Sequence, residues 1–250
     1  MNAGPLDPEA LADIAGNALA EGTEEQALPL LRAAVRTADG NARLWQWIAL
    51  LHRALDEHDC ALTAFEEAVR LAPNDASIAH GRARVALEAG LDARPLFDRA
   101  LKLQPSGDVI LGRAAARYAM GEGEAAASEL GTILDANPLW LQGHAQWAQL
   151  MAMIGRPDEA TRSIDEALKA QPGNTSLWLV AIQILTSAER HFEAWAKADR
   201  AIIATGDESA FALSRAAALS DSGELDRANP AFTTLGEPQN VTHAVHLARY

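Results

Sequence analysis

An alanine followed four residues later by a bulky apolar residue, and three after that by another apolar one, recurs seven times along this chain. The triplets are Ala27/Leu31/Ala34, Ala61/Phe65/Ala68, Ala93/Phe97/Ala100, Ala126/Leu130/Ile133, Ala160/Ile164/Ala167, Ala194/Ala198/Ala201 and Ala228/Phe232/Leu235. Their leading alanines lie 34, 32, 33, 34, 34 and 34 residues apart. A period of that length means that one supersecondary unit is copied along the chain, which excludes most globular topologies at once. The triplet spacing puts three side chains on one stripe of a helix, and a small first member lets a neighbouring helix approach closely. Each triplet therefore marks the second helix, helix B, of a hairpin.

A second amphipathic segment precedes each triplet, with large apolar residues and a small one near its middle: Trp45/Ile48/Ala49, Trp147/Ala148/Met151 and Trp178/Ala181/Ile182/Leu185. These are the first helices, helix A. Gly22, Gly90, Gly121, Gly155 and Gly223 fall between the two helices of a unit. Pro73-Asn74, Pro105-Ser106-Gly107, Asn137-Pro138 and Pro172-Gly173-Asn174 fall between units. The sixth unit carries Glu189 where glycine is usual, and Gly206 in place of the closing proline. Pro29, Pro95 and Pro230 share one early position of helix B, close enough to the helix start that one missing donor is tolerated. The whole chain, 1–250, divides as a single array into units at 8–41, 42–73, 74–106, 107–140, 141–174, 175–208 and 209–240, with 241–250 the first helix of an incomplete unit. The third unit is two residues short and offers Ser77, His80 and Arg84 where bulky apolar residues usually pack, which leaves its register open by about one residue.

Composition agrees with a helical class. Apolar residues are 49% of the chain but aromatics only 5%, and alanine recurs throughout, which suits helix-on-helix packing better than a sheet. The formal net charge of −13 has the wrong sign for attraction to phosphate backbones or anionic lipid, so nucleic acid and membrane are not expected as partners. Cys60 is the only cysteine, so no intramolecular disulfide or thiolate cage can form. The first residues lack the charged and apolar regions of a secretory leader, and no apolar run is long enough to span a bilayer. The expectation is a cytoplasmic chain.

The stretches 61–74, ALTAFEEAVRLAPN, and 153–174, MIGRPDEATRSIDEALKAQPGN, carry a pattern that resembles the tetratricopeptide family. That resemblance covers residues 8 to 240. It implies an all-α, right-handed superhelical solenoid of about seven helix-turn-helix repeats, with a concave groove lined by first helices, and a protein or peptide as partner. In this register the groove is lined by Arg43, Gln46, Trp47, Leu50 and Arg53, by Arg82, by Gln142, Gln146 and Gln149, and by Leu179 and Gln183. The family's chaperone-tail clamp places asparagine where this chain reads Asp13, Trp47, Ala79, Gly112, Gln146, Val180 and Ser214, so that clamp is disfavoured. Arg43, Arg53 and Arg82 favour an acidic or carboxylate-bearing peptide, whereas Arg84, Arg113 and Arg117 either join them or pair with Asp and Glu on neighbouring helices. Trp45, Trp147 and Trp178 occupy packing positions, and Trp47, two residues on, is the better exposed anchor.

Chemistry has little to rest on. Phosphate-binding loops, paired CxxC motifs, nucleophile elbows and HExxH motifs are missing from the sequence. His191-Phe192-Glu193 with His243 or His246 imitates a facial iron triad, but all of it lies on repeat helices. His52, His58, His80 and His144 lie over three units without a shared helix face, and Cys60 reads as an inert thiol. The expectation is a non-catalytic interaction scaffold with no cofactor and no metal. A different class remains open, in which the array is the targeting or substrate-presenting module of a larger bacterial enzyme of iron/2-oxoglutarate oxygenase, glycosyltransferase or sulfotransferase type. The last segment, with Val241, Val245 and Leu247, is expected to be an unpartnered apolar helix that invites a homodimer through the C-terminal end.

Overall fold

The computed structural model describes residues 8–37 and 40–224, and these are helical apart from turns and short connections. The elements are α1 (Pro8–Glu21), α2 (Glu24–Thr37), α3 (Ala42–Ala54), α4 (His58–Leu71), α5 (Ala76–Glu88), α6 (Arg94–Leu103) and α7 (Gly107–Ala119), then α8 (Gly123–Ala136), α9 (Leu141–Met153), α10 (Pro157–Ala170), α11 (Thr175–Ser187), α12 (His191–Thr205) and α13 (Glu208–Asp221). Odd helices are first helices and even ones second helices. The segment expected to form the second helix of the seventh hairpin, with Ala228, and the segment holding Val241, Val245 and Leu247 lie outside the described residues.

Contacts divide the chain into two units, Met1–Ala126 and Ala127–Tyr250, and the division falls in the first turn of α8. Within the first unit α1 to α7 pack each on the next, and α1, α3, α5 and α7 also pack in series. Within the second, α9 to α13 pack each on the next, with α9 on α11 and α11 on α13. Hairpins stacked in this way bury one another's apolar stripes. Ala61, Phe65, Ala68, Ala160 and Ala167 are buried as the triplets require. Trp147 is half-buried, its indole N–H donating to the Ala127 carbonyl at 2.8 Å.

Every first helix ends in the same way. One residue in the left-handed region lets the next N–H reach back five residues, as in Thr23 N–H to Ala18 O at 3.0 Å, Glu57 to His52 at 2.9 Å and Arg190 to Leu185 at 2.9 Å. The left-handed residues are Gly22, Asp56, Gly90, Gly121, Gly155, Glu189 and Gly223, spaced by 34, 34, 31, 34, 34 and 34 residues. Glycine carries no steric cost at such a position, aspartate is tolerated, and glutamate is strained. Five first helices start on a side-chain cap, from Asn41, Asp75, Ser106, Asn174 and Asp207.

The short third repeat resolves into two separate losses. Two residues are gone between Gly90 and Ala93, so α6 lacks the first turn that other second helices have, and Pro95 falls in its first turn while Pro29 lies inside α2. One more is gone after Pro105, where Ser106 alone serves as connection and cap. Counting back from the left-handed residue therefore puts Gly81, not Ala79, at the position of Trp47 and Gly112. The ring of Phe65 fills the space that a side chain at Gly81 would need, since a Cβ there would meet its Cζ at 2.6 Å, and Phe97 does the same at Gly112.

One pair of positions recurs at every junction between hairpins: the residue five after the leading alanine of a second helix, and the residue eight before the next left-handed turn. Glu66 there accepts from Arg82 at 3.0 Å, Asp98 from Arg113 at 3.2 Å, and Asp199 pairs with Arg215 at 2.5 Å. Gly131 instead meets Trp147, whose Nε1 would lie 3.3 Å from a Cβ on that glycine. Asp165 corresponds to Ala181, which has no charge to offer, and it takes the buried ammonium of Lys197 at 2.5 Å, itself 6.0 Å from the centre of the Trp178 ring. The remaining junction sets Arg32 against Ile48.

Replacing Glu189 by glycine removes the strain of a left-handed glutamate (φ 59°) and should stabilise the chain by about 0.5–1 kcal/mol, seen as a rise in the urea midpoint at unchanged slope. A lower midpoint would mean that Glu189 makes a contact outweighing its backbone cost.

Candidate functional site

The residues expected to line a groove fall six in the first unit and five in the second, and each set has its own setting. In the first, α3 presents Arg43 exposed at its cap, with Trp47 and Leu50 half-buried against the apolar core. Gln46 is buried and donates to Ser77 Oγ on α5 at 2.8 Å. Arg53 forks onto Glu88, its Nε and Nη2 donating at 2.6 and 2.7 Å. That bidentate bond holds the Glu88 carboxyl below the usual range and raises the guanidinium. Arg84 stands 4.0 Å from the same carboxylate.

Arg82 is placed differently from Arg43 and Arg53. With Gly81 at the position of Trp47, Arg82 falls on the junction position and pairs with Glu66 on α4, while Arg84 takes the place equivalent to Leu50. Arg113 is likewise a junction residue, bound to Asp98. His80, which the sequence sets where a bulky apolar residue usually packs, has its ring 6.1 Å from that of Phe97. Burial, helped by the charge of Arg84 and opposed by that of Asp108, holds its pKa below the ordinary histidine value.

In the second unit Gln142, Gln146 and Gln183 are exposed and Gln149 half-exposed, Gln146 donating to Gln149 at 3.0 Å, and Leu179 is exposed nearby in the repeat register. His191 is half-buried, and Glu193 of the triad-like sequence is forked by Arg190 at 2.7 Å, which depresses its carboxyl. His243 and His246 lie outside the described residues.

A second feature of the first unit is a cavity of about 370 Å³ between α2, α3 and α4, lined by Arg32, Val35, Arg36, Trp45, Ile48, His52, Cys60, Thr63 and Ala64. His52 is buried at its inner wall. Arg32 Nη2 lies 2.9 Å from its Nε2, and Glu57 2.5 Å from its Nδ1. Arginine can only donate, so Nε2 accepts and Nδ1 carries the proton given to Glu57. Ligand atoms of His52, Glu57 and Cys60 gather within 4.8 Å, the spacing of a metal centre. Both imidazole nitrogens are already engaged, however, and a guanidinium stands beside them, so this trio does not fit a cation as arranged.

Residues 42–85, which span α3, α4 and most of α5, match the family model described as tetratricopeptide repeat. Over that stretch the chain is similar to the tetratricopeptide repeat. Its fold is similar to that of a tetratricopeptide repeat protein from Parabacteroides merdae, with TM-score 0.66 and 18% identity over 96% of this chain and 98% of that one. It is also similar to PilW, a widely conserved type IV pilus biogenesis factor (TM-score 0.60, 16% identity, 81% and 96% covered). A thermophilic protein of the same repeat class in Thermus thermophilus gives 0.52 at 23% identity, over 72% and 99%. No curated protein matches the sequence. At such identities the likeness carries the repeat fold and not a partner. No helix among the described residues is long and apolar enough to cross a membrane.

His80 gives this face of the first unit a pH signature. A histidine whose folded pKa lies below its unfolded value of 6.5 supports stability fully above 6.5 and loses that support as pH falls through the lower, folded value. Stability should therefore decline between about pH 7 and pH 5, above the range of the depressed Glu88, and His80→Gln should flatten that slope. Urea midpoints across that range check it, and equal slopes in both proteins would remove His80 as the cause.

Proposed function

We propose that this chain is a non-catalytic scaffold that captures a peptide segment or partner domain on its first-helix faces. The observation that carries the reading is the α3 surface, where the half-buried Trp47 and Leu50 stand beside an exposed Arg43 that has no ion-pair partner among the described residues. An aromatic anchor flanked by a free fork is the pairing that dominates many protein interfaces. Arg53 is held by Glu88 and Arg82 by Glu66, so the arginine that selects an acidic partner on this face is Arg43. The exposed glutamines of α9 and α11 supply donors and acceptors suited to a peptide backbone.

A random peptide display library panned on the purified chain tests this. Selected peptides should carry an acidic residue near an apolar one. Trp47→Ala and Arg43→Ala should each weaken them by about tenfold or more, while Arg82→Ala leaves binding nearly unchanged and lowers the melting temperature slightly. Peptides that bind the Trp47 and Arg43 variants as tightly as the parent would place the binding face elsewhere.

A further inference from the structure

Five of the six junctions between hairpins are matched, four by charge and one by Gly131 against Trp147. Wherever the second helix brings a carboxylate, the structure supplies a cation: Arg82 for Glu66, Arg113 for Asp98, Arg215 for Asp199 and Lys197 for Asp165. At the first junction the sign is reversed. The second helix brings Arg32, and the first helix answers with Ile48, which has no charge. One turn further along α2, Arg36 lines the same cavity. Among the described residues neither guanidinium has a carboxylate partner. Glu57 reaches Arg32 only through the ring of His52.

We propose that the cavity at the first junction binds a carboxylate carried on an apolar body, the acid that this junction lacks. Arg32 uses one donor on His52 and keeps four more, and Arg36 adds a second fork one helical turn away. Two arginines so spaced can grip both oxygens of one carboxylate, whereas they repel a cation. Val35, Trp45, Ile48 and Ala64 form most of the remaining wall, with Cys60 and Thr63 beside them, so the group attached to the carboxylate is mainly apolar. The volume of about 370 Å³ lies at the small end of ligand pockets and suits one aromatic or branched group. His52 and Glu57 act as positioning residues, since the Nδ1 bond to Glu57 fixes the tautomer whose Nε2 lone pair aims Arg32. The site is separate from the first-helix face proposed for partner capture and does not rest on it.

Two sources could present such a group, a free small acid or the C-terminal residue of another chain, and one experiment separates them. Binding of 3-phenylpropionate and of acetyl-Gly-Gly-Phe as free acid is measured by titration calorimetry beside 3-phenylpropan-1-ol and the peptide amide. The carboxylates should bind at least about tenfold more tightly than their uncharged counterparts, and Arg32→Gln with Arg36→Gln should abolish that difference. Both arginines are exposed, so the double variant keeps its helical circular-dichroism signal. Cys60, the only cysteine, lines the cavity, and saturating ligand should slow its alkylation by N-ethylmaleimide. The tighter of the two acids identifies the source. Equal binding of acid and alcohol, no binding of either acid, or acid binding that neither the double variant nor Cys60 alkylation registers would each overturn the proposal.

Discussion

A hairpin built on alanine-rich stripes holds together only if its helices come very close, and the rest of this molecule follows from that distance. Ala49, Ala61 and Ala68 are fully buried, as are Ala83, Ala93, Ala148 and Ala160. Larger side chains there would push the axes apart and empty the contacts that surround them. Close approach in turn fixes the turn between the helices. Except between α5 and α6, the described hairpins reverse within two or three residues, and a left-handed residue with its reach-back hydrogen bond does so without leaving carbonyls unpaired. That is why seven turns repeat one geometry although only five of them use glycine.

Hydrophobic period and glycine punctuation made most of this fold legible in the sequence. The triplets gave the second helices, and the buried faces of Phe65, Ala160 and Ala167 followed. Asp56 escaped notice as a turn residue because it is an ordinary helix-flanking amino acid whose left-handed geometry shows only in coordinates. The third repeat escaped for a related reason. Its losses lie in two connections, and counting from the alanine alone shifts its first helix against its neighbours. A small slip in register rotates a helical residue by about 100° for each position, which is enough to move Arg82 from one face to another.

Site residues were less legible than the fold. Arg43, Trp47 and Leu50 follow from helix periodicity, which locates a face. Whether a cation on that face is free depends on neighbours in the adjacent repeat, and Glu88 lies 35 residues beyond Arg53, one period and one residue away. Pairing at that range requires the correct offset between repeats. The cavity at Arg32 has no local signal at all, since it arises where three helices meet.

The junction pairs also give the array an order. If every hairpin made the same contact with the next, repeats could be exchanged or slip by one unit at little cost, a hazard of repetitive chains. Here each second helix presents a different residue at one point: Arg32, Glu66, Asp98, Gly131, Asp165 and Asp199. Each following first helix answers with Ile48, Arg82, Arg113, Trp147, Ala181 and Arg215. Trp147 fits against Gly131, where even a Cβ would touch the indole, and against Asp98 or Glu66 it would bury a carboxylate under an aromatic ring. Arg82 against Arg32 would set two cations together. Single exposed ion pairs are worth about 0.2–1 kcal/mol, too little to hold a hairpin by themselves, but a wrong neighbour forfeits the pair and adds a clash or an unpaired charge. Stacking energy common to all repeats thus holds the helices together, and these few dissimilar contacts specify which hairpin follows which.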